Sequence, residues 1–375
     1  MAAGSPEAFP ANRDLIQASA PASLAHGATK LLNTAPRSGT VPDFPEPAKS
    51  ARFIVKKWLI FVVKSAVSVL LLWWLFSRID LTPVAEAAGR MSSGPIVVAF
   101  GLTVAASAVL SLRWVVVCRT LDIPLAVGRA LWLTFVGQFF NQTLPSTIGG
   151  DVVRIWFFRS DRVSMEQAAI SVILDRFCAL AASLIVVTLT LPILFTLTGD
   201  SAARWSILLL IVAGSAGIAF LIALGGRAGQ FAGRWRALRP LVAFGMAARR
   251  FSVQTVPVGA ALGLAAVIIA FTMLTVWLIG LSISAELPLI HCLVLVPPVI
   301  LVSMIPVSIA GWGVREGAMV VAFGFVGIPA ADALVVSLTF GALLVATGLP
   351  GGVLWLLSGR QLRTGNGITG RWRNT

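Results

Sequence analysis

The chain has 375 residues, of which 57% are hydrophobic and 12% are charged, and its formal net charge is +14. This composition excludes an ordinary soluble domain and predicts an all-α polytopic membrane protein. The basic residues flank apolar runs, so the positive-inside rule accounts for them and no nucleic-acid partner is expected. Three cysteines at unrelated spacings and two histidines form no disulfide or metal motif, so we expect no metal and no cofactor.

The amino-terminal region, residues 1–50, is rich in Ala, Pro and Ser without a sustained apolar period, which predicts a disordered tail. The first apolar run, residues 58–76, is long enough to span a bilayer, and we expect no cleaved signal peptide before it. Basic residues ahead of this run place the tail in the cytoplasm. Lys64 lies inside the span, where it either snorkels towards the basic flank or serves a functional site.

The second predicted span, residues 95–117, follows an outer loop whose charges cancel and returns the chain to the cytoplasmic side. Arg113 lies near its inner end, where it anchors at the lipid headgroups or joins a site formed with other charges. The next apolar segment, residues 126–140, enters from the cytoplasm and leads directly into the polar stretch FFNQTLPSTIGGDVVR.

That polar stretch interrupts a membrane segment. Pro145 removes a backbone donor, and Gly149 and Gly150 have little helical preference, so the helix is predicted to break here. Broken backbone at membrane depth is tolerated only where protein or a water-filled cavity surrounds it, so this stretch is a candidate site. Basic residues on both sides predict a re-entrant hairpin over about 126–160. Asp151 either caps the second limb or acts on a ligand directly.

The following span, residues 168–194, carries Asp175 and Arg176 about two turns from its cytoplasmic end. Adjacent helical residues do not face each other, so each is expected to pair with another element. A span over 205–224 then leads to a strongly basic cytoplasmic loop, residues 226–255. The loop is either a plain positive-inside connection or contains an interfacial helix on anionic lipid.

The last part of the chain contains a span over 256–281, a second hairpin over about 287–327 entered from the outer face, and a final span over 332–357. Residues 360–375 form a cytoplasmic tail, and the membrane domain covers 51–359. The prediction is therefore about six full spans plus two oppositely oriented re-entrant hairpins, as in an inverted-repeat transporter. Eight full spans with kinks are the alternative, because each entering limb is nearly long enough to cross.

The second hairpin repeats the polar break as SMIPVSIAGWGVRE. When Pro306 is set against Pro145, Gly311 aligns with Gly150 and Arg315 aligns with Arg154. Two Pro/Gly-interrupted apolar segments at corresponding positions of two halves indicate a transporter's substrate site. Chance similarity between two hinges is the alternative explanation.

These motifs resemble the lysylphosphatidylglycerol synthase transmembrane-region family, also called the flippase-like domain family. The resemblance covers roughly residues 52–358 and rests on Phe140-Asn141, Leu144-Pro145, Gly149-Gly150-Asp151, Arg154, Asp175-Arg176, Pro306 and residues 311–316. It implies that a lipid or lipid-linked substrate is moved between leaflets of the bacterial inner membrane. The best-known relatives also carry an aminoacyl-transferase domain, and the few residues after the last span predict a stand-alone, non-enzymatic member here.

The predicted mechanism is alternating access around a polar cavity between the two halves. Arg154 and Arg315 would bind an anionic headgroup there while the acyl chains stay in lipid. The substrate is an anionic phospholipid, a glycolipid or another lipid-linked molecule. The full set of predicted binding residues is Lys64, Arg113, Asn141, Pro145, Ser146, Gly149, Gly150, Asp151, Arg154, Asp175, Arg176, Pro306, Gly311, Gly313, Arg315 and Glu316.

Two other function classes remain open at this point. A membrane-embedded transferase would need a nucleophile or metal constellation that the sequence does not suggest. A non-catalytic scaffold would hold a lipid- or polysaccharide-modifying enzyme as its partner, and it would tolerate substitution of Arg154 and Arg315.

Overall fold

The computed structural model describes residues 63, 65–144, 149–160, 162–199, 201–226, 239–305, 308 and 310–363. All of them belong to one unit of the chain, Trp58–Thr375. Lys64, Pro145, Ser146, Pro306 and the predicted tail 1–50 lie outside the described residues. The described helices are α1 (Ser65–Arg78), α2 (Leu81–Gly89), α3 (Ser93–Thr120), α4 (Val127–Thr143), α5 (Gly149–Phe158), α6 (Met165–Leu197), α7 (Ser201–Gly226), α8 (Arg239–Ser252), α9 (Thr255–Ser282), α10 (Leu289–Ser303), α11 (Val314–Gly324) and α12 (Ala330–Arg363).

Five of these helices, α3, α6, α7, α9 and α12, are long and apolar enough to cross a membrane. They correspond to five of the six predicted full spans, and the prediction of a polytopic helical protein is confirmed. The sixth candidate is α1 together with α2, which meet at a bend of 92°. The prediction of an outer loop after the first span was wrong over residues 81–89, because these residues are helical. The Asp80 carboxylate starts α2 by accepting a hydrogen bond from the Thr82 N–H at 2.9 Å.

The first predicted hairpin consists of α4 and α5, which pack against each other in antiparallel orientation. At the open end, Arg129 Nη2 donates a hydrogen bond to the Phe157 carbonyl oxygen at 3.1 Å. Near the break, Asn141 Oδ1 accepts one from the Gly150 N–H at 2.8 Å. The limbs approach so closely that a Cβ atom at Gly150 would lie 1.9 Å from the carbonyl oxygen of Gly137. A glycine is therefore required at position 150 by packing.

The long helices define two ends of the molecule. At one end, called the basic end, Asp122 after α3 pairs with Arg250 at the end of α8. The open end of the α4–α5 hairpin also lies here, beside exposed Arg119, Arg159 and Arg162. At the opposite end, Arg90 pairs with Asp332 at 3.3 Å and the Ser92 N–H bonds the Ser282 carbonyl oxygen.

The second hairpin, α10 and α11, is connected at this opposite end. It follows α9, which ends at Ser282, and it precedes α12, whose first turn contains Asp332. The two hairpins therefore begin at opposite ends of the long helices. Between them α3 packs along α9, while α4 packs on α12 and α10 packs on α6.

The predicted basic loop, residues 226–255, contains a helix rather than a plain connection. The helix α8 buries Val242, Phe244, Ala248 and Phe251, and it exposes Arg249 and Arg250. Its apolar face packs against the end of α7 through Leu221 and Ile222. Residues 227–238 of the predicted loop lie outside the described residues.

Candidate functional site

Five charged side chains from three helices meet next to the first hairpin, and we call them the first charge cluster: Arg113 from α3, Asp151 and Arg154 from α5, and Asp175 and Arg176 from α6. Arg113 donates two hydrogen bonds to Asp175, from Nε to Oδ1 at 2.8 Å and from Nη2 to Oδ2 at 3.2 Å. Arg176 donates two to Asp151, from Nε to Oδ2 at 2.9 Å and from Nη2 to Oδ1 at 3.1 Å. These paired, two-point contacts are the strong form of the arginine–carboxylate interaction.

Arg154 occupies the middle of this cluster, and its contacts are much looser. Its Nη1 lies 3.4 Å from Asp151, and its Nη2 lies 3.9 Å from Asp175. The guanidinium lies over the ring of Trp114, with Cζ 4.1 Å from the ring centroid. Only 4% of the side chain is exposed, and its Nε and Nη2 have no hydrogen-bond partner. Arg154 therefore keeps unused donors in a buried position.

The first charge cluster also has an excess of positive charge. Three arginines face two aspartates, so the formal charge of the cluster is +1. A buried charge without a full set of partners is costly, whereas an anion beside it would supply both charge and acceptors. Arg176 is 44% exposed and forms the accessible edge of the cluster. The cluster is suited to bind an anion that arrives from that edge.

The second charge cluster lies at the start of α11 and consists of Arg315 and Glu316. Glu316 is fully buried and accepts hydrogen bonds from Arg315 Nε at 3.0 Å, Ser337 Oγ at 3.3 Å and the Gly313 N–H at 2.6 Å. The Arg315 guanidinium also contacts the rings of Trp312 and Phe340. The charges of this cluster are balanced and its carboxylate is satisfied by the protein itself.

The glycines of the second break have conformational roles. Gly311 and Gly313 adopt φ values of +82° and +87°, in the left-handed region that favours glycine. The turn they make brings the Gly313 N–H onto the Glu316 carboxylate. These glycines position the second charge cluster.

The structure separates the two aligned arginines. Arg154 contacts α3, α4 and α6, whereas Arg315 contacts α12 and its own segment. No described hydrogen bond, ion pair or ring contact joins the two clusters. The expected single cavity with both arginines facing one ligand is thus replaced by two clusters with different charge balance.

Other predicted residues acquire definite partners. Asp175 and Arg176 pair with other helices, as predicted from their adjacency on α6. Asp151 accepts from arginines, and Asn141 rather than Asp151 binds the backbone N–H at the start of α5. Arg113 is buried and paired with Asp175, so its side chain does not reach out to anchor the helix at the bilayer surface.

Trp114 was not among the predicted site residues, yet it lies under Arg154 and donates its indole N–H to Ser171 Oγ at 3.3 Å. The available signal was its position directly after Arg113. Ser337 and Phe340, which contact the second charge cluster from α12, were also not predicted. Their partners are distant in sequence, so no local pattern identified them.

A cavity of about 90 Å³ lies between helices of the two halves. Arg113 of α3 and Ala179 and Ser183 of α6 form one wall, and residues of α9 and α10 form the other. Arg113 is the one charged residue among the described lining residues. The cavity is therefore mainly apolar, whereas a polar cavity was expected between the two halves, and neither Arg154 nor Arg315 is among its described lining residues.

A protein-family model described as "Lysylphosphatidylglycerol synthase TM region" matches residues 61–352. The matched range contains both hairpins and both charge clusters. Comparisons with curated proteins and with solved structures find no match.

Proposed function

The chain belongs to the lysylphosphatidylglycerol synthase transmembrane-region family, and from this premise we propose that it moves an anionic lipid between the leaflets of the bacterial inner membrane. The substrate is a phospholipid, a glycolipid or another lipid-linked molecule with an anionic headgroup. The family connects the chain with membrane lipids. The observation that carries the rest is Arg154, a buried cation with two unpartnered nitrogens in a cluster of charge +1.

The first charge cluster can accept an anion without losing its own pairs. Arg154 would turn from its long contacts with Asp151 and Asp175 to a phosphate, which guanidinium binds in a planar, two-point manner. Asp151 would stay paired with Arg176, and Asp175 would stay paired with Arg113. No carboxylate is left unpaired, so binding does not carry the free-energy cost of an unpaired buried charge. Groups that pair in this way suit reversible binding of an anion rather than covalent chemistry.

The proposed transport is alternating access by an inverted repeat. The two hairpins begin at opposite ends of the long helices. The basic end fits the cytoplasmic face, and both termini would then be cytoplasmic. Exchanging the halves maps α3 onto α9, the α4–α5 hairpin onto α10–α11 and α6 onto α12. The packing of α4 on α12 then corresponds to that of α10 on α6. We propose that both hairpins are re-entrant and that the halves rock about the α3–α9 contact.

The test is reconstitution of the purified protein in liposomes with fluorophore-labelled phosphatidylglycerol, with dithionite used to report label in the outer leaflet. Arg154→Ala should slow translocation by about tenfold or more, since hydrogen bonds to charged groups contribute about 1.5–3 kcal/mol. The variant leaves two arginines facing two aspartates, so the folded protein should survive. Arg159→Ala, an exposed arginine at the end of the same hairpin, is the matched control and should be unaffected.

Arg315→Ala should behave differently in the same assay. It leaves Glu316 fully buried without its cation, so we expect loss of folded protein together with loss of transport. Transport at the wild-type rate by Arg154→Ala would contradict the proposed site. Co-purification with a lipid- or polysaccharide-modifying enzyme, with both arginines dispensable, would favour a scaffold instead.

A further inference from the structure

The cavity between the two halves lies directly beside the first charge cluster. Asp175, which holds Arg113, is one helical turn before Ala179 and two turns before Ser183, and these two residues line the cavity. A ligand bound at the cluster would therefore have the cavity next to it. Because the proposed substrate is amphiphilic, the character of the cavity decides where its apolar part can go.

The wall formed by α9 is apolar along one helical face. Its lining residues are Ala265, Ile268, Ile269, Thr272 and Met273, at spacings of three or four residues. The Thr272 hydroxyl donates to the carbonyl oxygen of Ile268, so it presents little unsatisfied polarity. A cavity with such walls favours hydrocarbon over water, since water there would find few hydrogen-bond partners.

Arg113 gives this cavity one polar corner. Its Nε and Nη2 donate hydrogen bonds to Asp175, and the same side chain lines the cavity. The side chain is nearly buried and belongs to both the cluster and the cavity lining. An apolar pocket with one buried donor at its edge is the arrangement expected for a chain that carries an oxygen at one end.

We propose that this cavity holds a segment of one hydrocarbon chain of the transported lipid, with an ester or phosphate oxygen at the head of that chain bound by Arg113. The proposal rests on the function proposed above and changes one feature of it: one chain is taken into the protein instead of remaining in bulk lipid. The headgroup then lies at Arg154, and Arg113 lies between headgroup and chain.

The experiment uses the full-length protein in liposomes of phosphatidylethanolamine and phosphatidylglycerol, with a phosphatidylglycerol probe that carries a diazirine near the middle of one acyl chain. After illumination, mass spectrometry identifies the labelled residues. We expect label on cavity residues such as Ile269, Met273 and Met304. Label confined to outward-facing residues such as Ala266 and Val267 would overturn the proposal.

Cavity-filling variants make the test specific. Ala265→Leu places extra volume in the cavity from α9, and Ala179→Leu does so from α6. Each should lower labelling of the cavity residues by about tenfold, because overpacking of a close-fitting site opposes a ligand chain. Ala266→Leu adds the same volume at the neighbouring exposed position, and labelling of its cavity residues should equal that of the wild type. Unchanged labelling in both filled variants would overturn the chain site.

The translocation assay separates this inference from the function on which it rests. Cavity labelling by a wild-type protein that translocates no lipid would overturn the proposed function and leave the chain site standing. Loss of labelling with wild-type translocation in both filled variants would overturn the inference alone. Loss of both labelling and translocation, with the Ala266→Leu control intact, is the expected result.

Discussion

Arg154 and Arg315 align in the two breaks of the sequence, yet their surroundings give them different roles. Arg154 has loose contacts with two carboxylates that are already paired with other arginines. Arg315 has one carboxylate to itself, and Glu316 is further fixed by Ser337 and a backbone N–H. Replacing the contacts of Arg154 by contacts with a ligand would cost little free energy. At Arg315 the same replacement would leave a buried carboxylate with fewer partners.

Asp175 provides a test of this charge balance. Asp175→Asn removes the charged partner of Arg113 and raises the formal charge of the first cluster from +1 to +2. Removing one member of a buried ion pair costs about 3–5 kcal/mol, so the unfolding midpoint in detergent should fall clearly. Asp332→Asn breaks the Arg90 pair, where half of the arginine is exposed, and should cost about 0–1 kcal/mol. Equal midpoints for the two variants would contradict a buried, tightly paired cluster.

At the scale of elements, the α4–α5 hairpin brings Arg154 to its position. Gly137 and Gly150 let the two limbs approach, and a Cβ at Gly137 would lie 2.7 Å from Arg154 Cγ. Asn141 then fixes the start of α5, and with it the direction of the next turn, which carries Asp151 and Arg154. The small residues of the motif therefore act by positioning the charged ones.

Gly150→Ala should push these limbs apart. The added Cβ would meet the Gly137 carbonyl oxygen and the Asn141 side chain, and neither the backbone nor the cap can move freely. We expect a loss of about 1–3 kcal/mol in the free energy of unfolding, as for other overpacked sites, with slower lipid transport. Gly101→Ala, within α3 and with no atom within 4 Å of the new Cβ, should be neutral or stabilising by up to about 1 kcal/mol. Thermal unfolding of both variants checks the difference.

At the scale of the whole molecule, the two ends of the helical bundle differ in charge. The basic end carries Arg119, Arg129, Arg159, Arg162 and Arg250, whereas the described residues of the opposite end mix both signs, as Arg90 and Asp332 do. From the positive-inside rule we propose that the basic end faces the cytoplasm. This proposal sets the direction from which we expect each hairpin to be reached.

Single cysteines at the two ends test the orientation. Arg90→Cys should react with a membrane-impermeant maleimide in intact spheroplasts, and Asp122→Cys should react only after permeabilisation. Both positions are exposed, and the three native cysteines are buried, so background labelling should be low. Reaction of both cysteines from the same side would contradict the two-ended arrangement on which alternating access depends.

The sequence by itself determined the helical membrane class, five of the spans and the two interruptions after α4 and α10, because these depend on local hydrophobic runs and on Pro and Gly. It also identified the charged residues, because charges are rare and costly inside apolar segments. It could not find α2, nor foresee that Trp114 lies under Arg154 and that Asn141 caps α5.

Only the tertiary structure decided which charges meet. Arg113, Asp151, Arg154, Asp175 and Arg176 come from three helices, and their pairing depends on how those helices pack, which no local spacing records. The same packing separated Arg154 from Arg315 and made the cavity apolar with one arginine at its edge. Charge balance and cavity character are properties of contacts distant in sequence, and these contacts leave Arg154 with unpartnered guanidinium nitrogens.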